Sequence, residues 1–104
     1  MTALDWRAAL RKELSPLLAS LARGEGASPA QRYRCEGFAR AVCTLGLATA
    51  REVIAELHDN WRGTLGDAAD AYAEDDFRLL DAGTELPCIP VCLPRAPVFP
   101  GSST

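Results

Sequence analysis

A chain of 104 residues with 48% hydrophobic and 24% charged content has the balance of one ordinary globular domain, able to bury about 65% of its unfolded surface. It contains no apolar run near the roughly 18 residues that a membrane-spanning helix needs. Charge is segregated, with seven Lys or Arg against four acids in residues 1–48 and four against ten in residues 49–104. The second half therefore repels phosphate and anionic lipid.

The opening "MTALDWRAALRKEL" scatters charges through the stretch where a signal peptide keeps an unbroken apolar core, so a cytoplasmic protein is expected. From about Ala3 to Arg23 the residues Trp6, Leu10, Leu14, Leu17, Leu18 and Leu21 recur at helical spacing. Pro16 lacks the amide that would donate to Lys12, and "SP" at 15–16 is itself a good helix start, so a kink or two short helices are expected. Gly24 then ends the element as a left-handed cap.

The second helix opens at Ser28, with Pro29 in its first position and Gln31 placed to complete a capping box. Gly37, Phe38, Ala41, Val42 and Leu45 form a face on which Gly37 and Ala41 would let another helix approach closely. Gly46 closes it. Thr49 and Glu52 make a second capping box, and the third helix carries the stripe Val53, Ile54, Leu57 and Trp61 before ending between Arg62 and Gly66.

The segment Leu45–Leu57 invites comparison with a DNA-reading helix-turn-helix. Relative to Gly46, the small-residue position holds Val42 and the apolar one holds Glu52. The would-be recognition helix offers Glu52, Glu56 and Asp59 against Arg51, the wrong sign for phosphate. An αα-hairpin fits better, and no direct contact with nucleic acid is expected.

Beyond Gly66, "DAADAYAEDDFRLLDAG" is compatible with a fourth helix, capped by Asp67, stopped at Gly83, and presenting Ala68, Tyr72, Phe77 and Leu80 as a loose apolar face. From Pro87 onward, prolines at 87, 90, 94, 97 and 100 exclude a helix and predict an extended strap. Its Ile89, Val91, Leu93, Val98 and Phe99 are too apolar for a pure linker, so the strap should lie on its own domain or on a partner. A P-x-x-P ligand for an aromatic groove is the other reading of this spacing.

Site chemistry is sparse. Cys35, Cys43, Cys88 and Cys92 lack the paired short spacing of a zinc site, and Cys35 and Cys43, about 12 Å apart along one helix, cannot bridge each other. Buried thiols are expected, although a pairing between helix and tail stays open. His58, the one histidine, has no acid at the three- or four-residue spacing that would orient it as a base. No catalytic, cofactor or metal residue is assigned, and an enzyme is not expected.

The stretch "RYRCEGFARAVCTLGLATAREVIAELHDNW", preceded by a Trp-containing amphipathic helix and by "RGEGASPA", resembles small helical accessory proteins of pseudomonads, in particular the quorum-sensing anti-activators. The likeness covers roughly residues 5–66. It implies a small helical protein, dimeric, that binds the ligand-binding region of a LuxR-type transcription activator and keeps that activator from dimerising on DNA. The resemblance assigns no contact residue.

The expected fold is all-α: a small helical bundle with a central αα-hairpin and a kinked first helix over residues 1–85, then an extended Pro-rich tail over 86–104. The expected function is sequestration of a transcription activator by a homodimer with no membrane contact. An immunity or antitoxin-like inhibitor of a toxin or nuclease is the alternative, with direct helix-turn-helix binding to DNA behind both. Helix 1 is the preferred dimer face, because Trp6, Leu10, Leu14 and Leu18 exceed what one hairpin covers. Trp61, Tyr72, Phe77, Val98 and Phe99 complete the candidate contact set.

Overall fold

The computed structural model describes residues 3–90. Three helices, α1 (Ala3–Ala22), α2 (Pro29–Thr44) and α3 (Ala50–Leu65), are followed by two 3-10 turns, Gly66–Ala71 and Glu74–Phe77, and by a hairpin of β1 (Arg78–Asp81) and β2 (Thr84–Pro87). The chain is mostly helical, and the hairpin is a departure from the all-α expectation.

Both capping boxes form. Ser28 Oγ accepts from the Gln31 amide at 3.1 Å while Gln31 Oε1 accepts from the Ser28 amide at 3.1 Å. Thr49 Oγ1 accepts from the Glu52 amide at 3.1 Å, and Glu52 Oε1 takes the Thr49 amide at 2.9 Å. Each box satisfies two amide donors that a helix start leaves open. Gly46, at φ +74°, lets the chain leave α2 and reach Thr49, so α2 and α3 form the expected αα-hairpin.

α1 runs through Pro16 as a single element rather than as two helices. Pro16 and Lys12 both lie on the exposed side, where water can solvate the Lys12 carbonyl that has lost its donor. Leu14, Leu17 and Leu18, around the proline, are buried and hold the helix to the core across the missing bond.

Arg7 Nε lies 3.3 Å from Glu56 and Arg11 3.8 Å from the same carboxylate, with Arg7 also 3.9 Å from Glu52. Residues rising in number on α1 thus meet residues rising in number on α3, so these two helices run parallel. α2 packs on another side of α1, its Cys35 thiol donating to the Glu13 carbonyl at 3.3 Å. The core is a single cluster in which Trp6, Leu10, Leu14 and Leu17 of α1 meet Ala39 and Val42 of α2 and Ile54, Leu57 and Trp61 of α3.

The buried face of α2 is Cys35, Ala39 and Val42, not the Gly37 and Ala41 face that the spacing suggested. Gly37 is exposed, and a Cβ built on it meets nothing within 4 Å. Gly37 and Ala41 therefore do not mark a close helix contact, while Ala39 and Val42 are buried and Phe38 packs partly against the core.

The fourth helix does not form. Asp76 accepts from the Ala73 amide at 2.8 Å, starting the second 3-10 turn, and Phe77 is carried into the core, where it is buried. Ala82 and Gly83, at φ +52° and +80°, supply the two left-handed residues of a tight two-residue hairpin turn. Six acids between Asp67 and Asp81 would crowd along one helix, whereas short turns and a hairpin spread them into water. Ala69, rather than Ala68, is the buried alanine.

The hairpin pairs Arg78 with Pro87, Leu79 with Leu86, Leu80 with Glu85 and Asp81 with Thr84. The 85/86 boundary drawn from the sequence falls inside β2, because Leu86 and Pro87 complete the strand and Ile89 enters the core. Two side chains of α2 fix this exit: Arg40 Nε donates to the Pro87 carbonyl at 3.0 Å, and Glu36 Oε2 accepts from the Ile89 amide at 2.9 Å. The rest of the predicted strap, from residue 91, lies outside the described residues.

Candidate interaction surface

The predicted contact residues divide sharply. Trp6, Leu10, Leu14, Leu18, Trp61 and Phe77 are all buried within the monomer, the most exposed being Leu18 at 4%. They are core, which corrects the assignment of the α1 residues as a dimer face and of Trp61 and Phe77 as dimer or partner contacts. One hairpin could not have covered the α1 stripe, but α1 packs against both α2 and α3, so its stripe is covered from two sides. Tyr72 is half-buried, with its ring centroid 6.2 Å from that of Trp61. Val98 and Phe99 lie outside the described residues.

Burial also bears on the thiols of the described residues. Cys35, Cys43 and Cys88 are free. Desolvation, reinforced by the Glu13 carboxylate and opposed by Arg34, pushes the Cys35 thiol up to about 11, and burial raises Cys43 and Cys88 as well. A thiol held protonated is a poor nucleophile and a poor metal ligand. Among the described residues no three His, Cys, Asp or Glu side chains converge as a metal site. Cys92 lies outside them.

The acids of α3 have internal work. Glu52, bound by the Thr49 amide and hydroxyl and facing Arg7, is held below the ordinary carboxylate range. Glu56 takes Arg7, Arg11 and the Asn60 amide nitrogen, the last at 3.0 Å. This side of α3 is thus ion-paired along α1. His58 points its Nε2 at the Tyr72 carbonyl, 3.2 Å away, and its ring leans on Phe77 with centroids 5.7 Å apart. It ties α3 to the 3-10 segment.

Tyr33 and Leu45 stand exposed on α2 and just past its end, and two further surface features stand out. One is an open groove of about 500 Å³ between the C-terminal halves of α1 and α3, walled by Ser15, Leu18, Ala19, Asn60, Gly63 and Thr64. The other is the hairpin. Leu79 and Leu80 are 43% and 70% exposed, on opposite faces of β1. They stand among Glu74, Asp75, Asp76, Asp81 and Glu85, with Arg78 as the sole cation between residues 74 and 85.

Arg78 is already engaged, 3.3 Å from Glu74, 2.9 Å from Glu85 and in contact with Asp75. One guanidinium shared by three carboxylates leaves the segment with a net negative charge. Sequence reasoning missed this surface because it placed Leu80 on the apolar face of a helix; the signal available was the "DAGT" turn flanked by "RLL" and "ELP". Comparison with protein-family models, curated proteins and solved structures finds no match.

Proposed function

We propose that this chain is a non-enzymatic regulator that binds a LuxR-type transcription activator and sequesters it, blocking its dimerisation and its binding to DNA. The observation that carries the reading is the exposure of Leu79 and Leu80 within an acidic segment. Exposed leucines on both faces of one strand leave apolar surface for a protein partner that wraps its edge, and the surrounding carboxylates disfavour nucleic acid while steering a basic protein surface toward them. The pattern shared by residues 5–66 with quorum-sensing anti-activators such as QslA supports the choice of partner class.

The test is affinity capture from host lysate with the tagged full chain at moderate salt, followed by mass spectrometry and by competition between the recovered activator and its promoter DNA. Recovery of a LuxR-type activator that leaves its DNA when this protein is added supports the reading. Recovery of a toxin or nuclease that is inhibited on binding would replace it with an immunity function.

A further inference from the structure

We propose that β1 is an open docking edge on which an extended, basic segment of another protein adds as a third strand. The phase of the ladder carries the inference. The two-residue turn makes Asp81 and Thr84 a hydrogen-bonded pair, and the Cys88 amide donates to the Phe77 carbonyl at 2.9 Å. Odd-numbered residues of β1 therefore spend their backbone groups on β2, and even-numbered ones point theirs away. Pro87, with no amide to give, sits opposite Arg78 at a non-bonded position, as this phase requires.

The two edges of the hairpin differ. β2 is covered by α3 and α2, and Arg40 takes its last carbonyl. β1 has β2 and the preceding 3-10 turn as its main neighbours. The Arg78 amide turns back to the Asp75 carbonyl. The Arg78 carbonyl and both backbone groups of Leu80 are left directed outward, beside a side chain that is 70% exposed. An added strand finds a carbonyl, an amide and a carbonyl in order, with Leu80 on one face and Leu79 on the other.

Charge selects the occupant. Residues 74–85 carry five carboxylates against one guanidinium, with Glu74 and Asp75 before β1 and Asp81 at its end. A segment with an apolar centre and Lys or Arg at both ends matches this order. A second copy does not: the outward phase pairs Leu80 with its own equivalent, sets Leu79 against the other Asp81, and brings two strongly acidic segments together. The inference rests on the reading of this hairpin as a protein-binding surface but not on which activator it binds, so failure of the peptide leaves lysate capture as the separate test of that partner.

The experiment titrates the 15N-labelled full chain with the capped peptide Lys-Val-Thr-Val-Lys-Val-Lys at low salt, with Glu in place of Lys as the control, and follows amide shifts and hydrogen exchange. The expected result is at least tenfold slower exchange at the Leu80 amide, none for the Glu peptide, and loss of binding at high salt. Leu80→Pro, which removes the outward donor, should abolish the shifts that the Lys peptide causes at the Leu79 and Asp81 amides; Glu74→Lys with Asp81→Lys leaves the strand backbone alone and should weaken the Lys peptide at least tenfold. Unchanged Leu80 exchange at a millimolar concentration of the Lys peptide, shifts confined to the α1–α3 groove, or equal binding of the two peptides would overturn the proposal.

Discussion

Trp61 of α3 and Phe77 of the second 3-10 turn meet edge to face, with ring centroids 4.9 Å apart and planes inclined at 73°. This contact fastens the hairpin to the helical bundle. Both rings are fully buried, and Tyr72 and His58 lean on Phe77 at centroid distances of 6.4 and 5.7 Å. Removing the ring leaves a cavity that helix α3 cannot close. Phe77→Ala should cost about 3–5 kcal/mol, a large share of the stability of an ordinary domain. Urea unfolding followed by Trp fluorescence reads this directly, and a cost below about 1 kcal/mol would mean that the hairpin contributes little to the core.

Ala82 holds φ +52° without being glycine, a conformation that costs an L-residue about 1–2 kcal/mol. Ala82→Gly should stabilise the protein by about 0.5–1 kcal/mol, the relief of strain being partly offset by greater freedom in the unfolded chain. The rise in urea midpoint with an unchanged slope is the measurement. A fall in midpoint would show that the turn is not left-handed at this position.

Gly37 calls for the opposite change. It is an interior residue of α2 with open space where a Cβ would stand, so Gly37→Ala gains helix propensity without a clash. The expected gain is about 0.5–1 kcal/mol. Destabilisation on thermal unfolding would instead place Gly37 in a helix contact.

Cys35 should react with a thiol reagent such as dithionitrobenzoate only on unfolding, since its pKa of about 11 leaves about a thousandth of it as thiolate near pH 8. The same shift links to stability. Folding raises this acid from its ordinary value near 9 to about 11, so the native state holds the proton more tightly. Its contribution is complete below pH 9 and is lost as pH rises through about 11. The stability difference between wild type and Cys35→Ala should accordingly narrow between pH 8 and pH 11; a constant difference would show that the thiol titrates alike in both states.

The helical part of this molecule was written locally. Ser28 with Gln31, Thr49 with Glu52, and the left-handed Gly46 lie within four residues of the backbone groups they satisfy, so three or four side chains suffice to place each helix end. The stripe on α1 was legible as apolar, but not what would cover it: that depended on α2 and α3 flanking the helix, contacts between residues far apart in sequence. Likewise Ala68, Tyr72, Phe77 and Leu80 matched a helical period, and the period was outweighed by the pull of Phe77 toward Trp61 and by a turn at Ala82 and Gly83. The sequence by itself determined where α2 and α3 begin, because capping is short-range hydrogen bonding. Only the tertiary structure decided that Trp6, Leu10, Leu14 and Leu18 are core while Leu79 and Leu80 face water, because burial is settled by which distant segments compete for the same apolar surface.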